Sequence, residues 1–301
     1  MHSFRFTISI LFLLLLSSCQ KDQTKDYLFI GHSYNWQAPG GDRVDPRVEA
    51  LDLDAYDQIW LGGDICGRTS QKASTLDYLD DLFGISQNRT LWAIGNHDIK
   101  SGTPSLISKK TKRPFSYSQH RDGITYLVLN TNTGHPQLPD MDSSKICDAL
   151  HQQFSLLKNI ADTIQASSHL VVLHHHSLLT KNLVNGQKDL LDKWHFIAAY
   201  LKMSCTPHGT FEKLYYPLLT KIQQKGTQVV LIGGDLGQRA KRFEFQSKEG
   251  IWFLGSGINN SMKKENVPKY VTNHNPDSIL VFQHDLKEET LKWEFRELGG
   301  F

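Results

Sequence analysis

The sequence is short of cysteine, of excess charge and of long apolar runs, and each shortage excludes a class of protein. Its 301 residues include four cysteines, without the CxxC spacing of a zinc ribbon or the density of a disulfide scaffold. Lysine and arginine total 33 against 31 acidic residues, so the net charge offers no general attraction for nucleic acid, and we find no nucleic-acid motif. With 39% hydrophobic residues, the chain is expected to form one large folded domain or two small ones.

The first nineteen residues are similar to a bacterial lipoprotein signal. A charged residue precedes an apolar run at 8–16 that is too short to span a bilayer, and small residues then lead into Cys19. This order predicts a signal peptide at 1–18, a lipid on Cys19, a polar tether at 19–26 and a folded domain at 27–301. We therefore expect the chain at the bacterial cell envelope, attached to the membrane by a lipid anchor on the periplasmic or the outer face. An ordinary signal peptide or a buried N-terminal helix is the alternative.

The remaining cysteines are Cys66, Cys147 and Cys205. In an oxidising compartment they allow one bridge, and we predict that it joins Cys147 to Cys205. Cys66 follows a GGD turn, and we interpret it as a small packing residue rather than a nucleophile.

Short apolar runs recur along the chain with amphipathic segments between them, which is typical of an α/β domain. The predicted strands are 27–30, 58–61, 90–94, 124–129, 169–173 and 228–232, and the predicted helices lie near 44–53, 71–84, 144–166 and 210–225. In the C-terminal third, antiparallel hairpins are predicted from β-rich runs at 242–245, 251–254, 278–284 and 290–295. Residues 177–209 lack a strong period and are predicted to be an insertion.

Polar side chains of the kinds that bind metals follow five of the predicted strands. They are His32, Asp64, Asn96 with His97 and Asp98, the run His174 to His176, and Asp235. Because ligands bind at the carboxyl ends of strands in open α/β sheets, we expect these turns to converge on one site. Carboxylate, amide and imidazole donors without a thiolate suit a divalent Mn, Fe or Zn ion. The pattern therefore indicates metal-assisted hydrolysis.

The ordered motifs resemble those of the calcineurin-like metallophosphoesterase superfamily. They are GGD at 62–64, GNHD at 95–98, a strand ending in histidines at 174–176, and a strand ending in GGD at 233–235. The resemblance implies a fold of two packed mixed β-sheets flanked by helices, an α/β/β/α sandwich. It also implies metal-dependent hydrolysis of a phosphomonoester or a phosphodiester.

The resemblance further implies a ligand set. Asp64, Asn96, His174 and Asp235 match the ligands of one family metal, although the residues alone leave open which of His174, His175 and His176 binds. Ile30 and Gly237 stand where the family has an aspartate and a histidine of its second metal. We therefore expect about one tightly bound ion and a second site that is degraded or absent.

His97 matches the catalytic histidine of the family, which implies that it stabilises or protonates the leaving oxygen while Asp98 orients its ring. His32 is left as a hydrogen-bond donor to phosphate, an outer partner of a ligand, or the remaining ligand of a weak second ion. Arg239 and Lys241 either bind phosphate or are ordinary surface charge. Trp36 either walls the pocket or packs in the core.

The expected substrate is a phosphorylated small molecule or an envelope component. The competing hypothesis is a lipoprotein that keeps the fold as a metal-binding scaffold module and has lost turnover together with the second metal.

Overall fold

The computed structural model describes residues 23–100, 102–133, 143–187, 189–190, 209–236, 240–259, 265, 268–269 and 271–299. The predictions for the signal peptide, Cys19, Cys205, Gly237 and Arg239 lie outside these residues, as does most of the predicted insertion. Within these ranges, no helix is both long and apolar enough to cross a membrane.

The strands follow the predicted apolar runs. They are β1 (Thr24–Ile30), β2 (Gln58–Leu61), β3 (Thr90–Trp92), β4 (Tyr117–Arg121), β5 (Ile124–Val128), β6 (His169–His174), β7 (Gln228–Gly233), β8 (Arg242–Gln246), β9 (Trp252–Ser256), β10 (Ser278–Asp285) and β11 (Thr290–Glu297). Strand β4 has no predicted counterpart, because its YSQHR sequence is polar and none of its residues is fully buried. Strand β1 begins inside the stretch that was predicted to be a tether.

Within the described ranges, the predicted helical segments correspond to five α-helices, and two short helices at 96–99 and 105–111 have no predicted counterpart. Together these helices are α1 (Pro46–Glu49), α2 (Ala73–Phe83), α3 (Asn96–Ile99), α4 (Ser105–Thr111), α5 (Ser143–Thr163), α6 (Phe211–Leu214) and α7 (Tyr216–Gln224). Helix α2 ends at Gly84, which has a φ of +62° and so adopts the left-handed conformation that commonly terminates helices.

The strands form two mixed sheets, in the orders β11-β10-β1-β2-β3 and β4-β5-β6-β7-β9-β8. In the first sheet β1, β2 and β3 are parallel, and the β10–β11 hairpin adds antiparallel to β1. In the second sheet β5, β6, β7 and β9 are parallel, with β4 and β8 as antiparallel edges. The predicted α/β sandwich of two mixed sheets flanked by helices is confirmed, as are both C-terminal hairpins.

Three apolar layers hold the sandwich together. Phe29 and Trp60 of the first sheet face Val230 of the second in the layer between the sheets. Leu28 and Ile30 point the other way, into a layer that includes α2, while α5 and α7 cover the second sheet. Because alternate residues of a strand point to opposite faces, a stretch buried on both faces is apolar throughout, as residues 27–30 of β1 are.

The cysteines that the structure describes agree with their predicted characters. Cys147 in α5 is disulfide-bonded, whereas Cys66 is buried and free. Burial raises the pKa of the Cys66 thiol, which keeps the sulfur protonated and unreactive, as a packing residue would be. The Cys147 partner lies outside the described residues, so pairing with Cys205 stays a prediction.

A buried histidine pair between the sheets is expected to make the fold sensitive to acid. The rings of His169 at the start of β6 and His284 in β10 lie 6.2 Å apart. Burial, followed by the charge of His284, lowers the pKa of His169 to about 4. The neutral His169 ring therefore contributes its full stabilisation at pH values above the pKa of about 6.5 that histidine has in the unfolded chain. This contribution is lost as the pH falls from about 6.5 towards about 4.

We expect the free energy of unfolding to drop by about 2–3 kcal/mol over this range on account of His169. A His169→Gln variant should lose much of the dependence in urea titrations at several pH values. The matched control is His120→Gln, since His120 is exposed on β4, and it should keep the wild-type dependence. An unchanged slope in His169→Gln would contradict the assignment.

Candidate metal centre

Glycines allow the two sheets to approach each other at their carboxyl ends. A Cβ on Gly62, which follows β2, would lie 2.8 Å from the Cα of Gly234, which follows β7. A Cβ on Gly234 would in turn overlap the carbonyl of Gly62. No larger residue fits either position without moving the backbone, and this close approach brings Asp64 and Asp235 to one site.

Asp64 is the central acid of this site. It has a φ of +54°, in the left-handed region that aspartate tolerates better than most residues. Its Oδ1 accepts the backbone N–H of His97 at 2.7 Å, and its Oδ2 lies 3.4 Å from Nε2 of His175 and 3.8 Å from Nε2 of His32. The carboxylate thus faces several of the predicted site histidines at once.

The charges at Asp64 and His175 stabilise each other. Burial by itself would raise the pKa of Asp64, but the neighbouring His175 and His97 hold it well below its usual range. Burial would likewise lower the pKa of His175, but the carboxylates of Asp64 and Asp235 outweigh it and raise that pKa to about 9. Two buried carboxylates at this point therefore create a strong preference for positive charge, which a divalent cation would also satisfy.

The histidine run at the end of β6 divides into different environments. The donor atoms of His175, His176 and Asp235 all lie within 4.8 Å of one another, and all three residues are buried. His174 instead directs Nδ1 to the carbonyl of His176 at 2.8 Å, and burial lowers its pKa to about 3. The prediction placed His174 among the ligands; the structure groups its two neighbours with Asp235.

Hydrogen bonds to Gly62 and Thr131 orient the rings of His175 and His176. Nδ1 of His175 donates to the carbonyl of Gly62 at 2.7 Å, which directs Nε2 towards Oδ1 of Asn96 at 3.3 Å. Nδ1 of His176 lies 3.0 Å from the hydroxyl of Thr131. Metal-binding histidines usually have such a partner on the second ring nitrogen. The donor set fits a divalent ion such as Zn, Mn or Fe, since it combines imidazoles with carboxylates.

The Asp98 carboxylate makes structural hydrogen bonds, whereas the sequence predicted that it would orient the His97 ring. Its carboxylate accepts the backbone N–H groups of Gly95, Asp64 and Ile65 at 2.8–3.0 Å and the hydroxyl of Thr69 at 2.7 Å. It thereby ties the GGD turn to the GNHD turn. The spacing from Gly95 to Asp98 is that of a capping box, and this was the sequence signal for the role.

His97 is oriented by other groups than Asp98. Its Nδ1 lies 3.3 Å from the carbonyl of Gly67, and its ring stacks on Tyr34 with centroids 4.9 Å apart. Tyr34 stacks in turn on Trp36 at 5.2 Å and lies 4.8 Å from the ring of His32. Trp36 therefore belongs to an aromatic wall of the site, and Tyr34 is a site residue that the sequence reasoning did not identify.

His32 is buried on the turn that follows β1, and its ring faces Asp64. Its φ of +52° and the contact of its Nδ1 with the carbonyl of Ile258 at 3.3 Å turn the ring towards Asp64. Burial lowers its pKa, against the opposing effect of Asp64. Because a carbonyl only accepts, Nδ1 holds the proton of the neutral ring and Nε2 is an acceptor. This suits a metal ligand or an outer partner of a ligand, but not a hydrogen-bond donor to phosphate.

Lys241 is not available to bind phosphate, and this part of the prediction is corrected. It is buried and paired with Asp277 at 2.7 Å. Arg47 also reaches Asp277 at 2.5 Å and Asp45 at 2.7 Å. The cations of Lys241 and the partly buried Arg47 and the buried carboxylates of Asp45 and Asp277 neutralise one another. This network therefore secures the fold beside the site without offering a free positive charge.

Comparisons with known proteins agree with the fold. No family model matches the chain, and no curated protein matches it significantly. Among solved structures, the chain is similar to GAP50, described as the anchor in the inner membrane complex of Plasmodium, with a TM-score of 0.53 and 9% identity over 91% of this chain and 85% of that one. A likeness at this identity shows a shared fold alone.

A second match, Vps29 complexed with Zn²⁺ from Entamoeba histolytica, has 11% identity over 91% of this chain and 99% of that one. The TM-score of this match is 0.29. The fold and the site together define an α/β sandwich protein in which a His/His/Asp group able to bind a metal lies where the two sheets meet.

Proposed function

We propose that this chain is a metal-dependent phosphoesterase of the calcineurin-like type, acting on a phosphomonoester or a phosphodiester. The observation that carries the proposal is the convergence of Asp64, His175, His176 and Asp235 within one buried site, with Asn96 and His97 on the adjoining turn. This arrangement comes from four separate strand ends, in the order of the family motifs. A chance meeting of core histidines would not also place carboxylates and an amide around them.

The proposed metal ligands are Asp64, Asn96, Asp235, His175 and His176. A bound divalent ion would polarise a phosphoryl oxygen and lower the pKa of a water molecule. The GGD turns hold the carboxylates in place, and the carbonyl of Gly62 fixes the orientation of the His175 ring. We expect one tightly bound ion, because Ile30 packs in the core where the family has a ligand of its second metal.

His97 is proposed to act on the leaving oxygen. Its side chain is partly exposed at the site, and with Nδ1 directed at the Gly67 carbonyl its Nε2 is left to face substrate. A cationic ring in this orientation donates the Nε2 proton to the departing oxygen. Stacking on Tyr34 keeps the plane of the His97 ring fixed. The sequence analysis predicted this orienting role for Asp98.

A second candidate function rests on Ile30, the residue from which we expect only one tightly bound metal ion. With Ile30 in place of an acidic ligand, the chain is also suited to be a metal-binding scaffold module without turnover. The partly exposed His97 favours the enzyme, because a scaffold has no need of an acid at this point. We also propose that a lipid on Cys19 attaches the protein to the cell envelope. This part of the proposal rests on the sequence pattern alone.

The direct test is hydrolysis by residues 20–301, which omit the predicted signal peptide and lipidation site, supplied in turn with Mn²⁺, Fe²⁺ and Zn²⁺. The proposal expects turnover of 4-nitrophenyl phosphate or bis(4-nitrophenyl) phosphate with at least one ion, abolished by a chelator and restored by the ion. Tight metal binding without turnover of either ester under any of these conditions would support the scaffold module instead.

A further inference from the structure

A mostly apolar cavity of about 410 Å³ lies beside the candidate metal centre. Its apolar walls come from Ile99, Pro104, Pro114, Phe115 and Ala149. The other described residues that line it carry uncharged amides or hydroxyls. A volume of about 150 Å³ already admits benzene in an apolar cavity, so this one has room for a substituted ring or a short alkyl chain.

Helix α3 connects the cavity to the metal centre. It begins at Asn96, contains His97 and ends at Ile99, which lines the cavity. Three residues of helix advance by about 5 Å, so the wall at Ile99 begins one helical turn from the proposed ligand Asn96. A group joined to a phosphoryl at the centre therefore reaches the cavity without a long spacer.

The loop after β5 forms a second wall shared by the two sites. Thr131 bonds to the backbone N–H of His176 at 3.0 Å on the side of the centre. Asn132 lines the cavity, and its Nδ2 donates to the carbonyl of Ile94 at 2.6 Å, directly before the GNHD turn. The Oδ1 of Asn132 is buried without a hydrogen-bond partner among the described residues. Among the residues that the structure describes, the cavity lining therefore includes an unused acceptor, the Oδ1 of Asn132, and no charged side chain.

We propose that this cavity binds an uncharged aryl or alkyl group and that, in the enzyme, this group is the alcohol side of the phosphoester. The second part rests on the proposed function; the first does not. The substrate class is then an ester of an apolar alcohol or phenol, as opposed to a sugar phosphate or a nucleotide. A charged or heavily hydroxylated group would lose its hydration against Phe115 and the prolines without gaining partners.

The test compares phenyl phosphate with 4-butylphenyl phosphate, whose leaving groups have closely similar acidities. Each buried methylene is worth about fourfold in an equilibrium constant. We expect kcat/KM to be about 10- to 100-fold higher for the butyl ester. In parallel, calorimetry measures binding of 4-butylphenol, which reports on the cavity whether or not any ester is hydrolysed.

An Ala149→Phe variant fills part of the cavity from α5, away from the proposed ligands. It should reduce the preference for the butyl ester to within about threefold and weaken 4-butylphenol binding at least tenfold, while phenyl phosphate is still hydrolysed. The matched control is Ser155→Phe, which adds the same ring at an exposed position of the same helix. This control should behave as wild type in both measurements.

The outcomes separate the two proposals. Equal kcat/KM values for the two esters, with no binding of 4-butylphenol, would overturn the cavity assignment and leave the phosphoesterase intact. Binding of 4-butylphenol that Ala149→Phe abolishes, without hydrolysis of either ester, would retain the apolar-group site and reject the phosphoesterase. Binding that both phenylalanine variants leave unchanged would place the phenol elsewhere and overturn the cavity assignment.

Discussion

An Asp64→Asn variant is expected to lose bound metal and hydrolysis together. Asparagine keeps the shape of the side chain but removes the negative charge that faces His175 and His32. Loss of an outer partner of a metal ligand typically costs 10- to 100-fold in metal affinity, and loss of a central carboxylate should cost more than about 100-fold. Metal content after dialysis and the rate of aryl phosphate hydrolysis measure the two effects.

The control for this variant is Asp54→Asn, since the Asp54 side chain is 93% exposed and pairs with Arg89 at the surface. It should keep wild-type metal content and activity. Circular dichroism should show that both variants are folded. An Asp64→Asn protein that holds metal as tightly as wild type would remove Asp64 from the ligand set.

A His97→Ala variant should separate turnover from metal binding. Its side chain is proposed to act on the leaving oxygen, whereas only its backbone N–H contacts Asp64. We expect metal content to be unchanged and kcat to fall by about 10²- to 10⁴-fold, the usual contribution of a positioned acid. The loss should be larger for an alkyl phosphate than for 4-nitrophenyl phosphate, because nitrophenolate departs without protonation.

The exposed His274 supplies the matched control, as His274→Ala removes an imidazole that has no proposed role. Equal losses for alkyl and nitrophenyl esters would argue that His97 positions the phosphoryl group and does not protonate the leaving oxygen. No loss with either ester would remove His97 from the mechanism.

Much of the fold follows from sequence periodicity, because buried strands need continuous apolar runs. The runs at β2 and β6 predicted their strands to within one residue. Strand β4 was not predicted, because an edge strand with exposed residues has little apolar periodicity in its sequence. The convergence of strand ends was also predictable, since parallel strands place their following turns at the same edge.

Side-chain partners at the site were less predictable, because they depend on backbone direction after each strand ends. Alternation along β6 stops at His174, so the sequence could not show that His175 and His176 turn towards Asp235. Asp98 follows His97 directly, yet its carboxylate faces the backbone of the neighbouring turn. Lys241 looked like a surface cation because its partner Asp277 is 36 residues away in the chain.

The measurement that tests the central claim most directly is metal content and hydrolysis determined on the same preparation of residues 20–301. The account predicts about one divalent ion per chain, loss of aryl phosphate hydrolysis when a chelator removes it, and recovery when the ion is restored. Hydrolysis that persists after complete removal of metal, or a chain that retains no ion at all, would contradict the account.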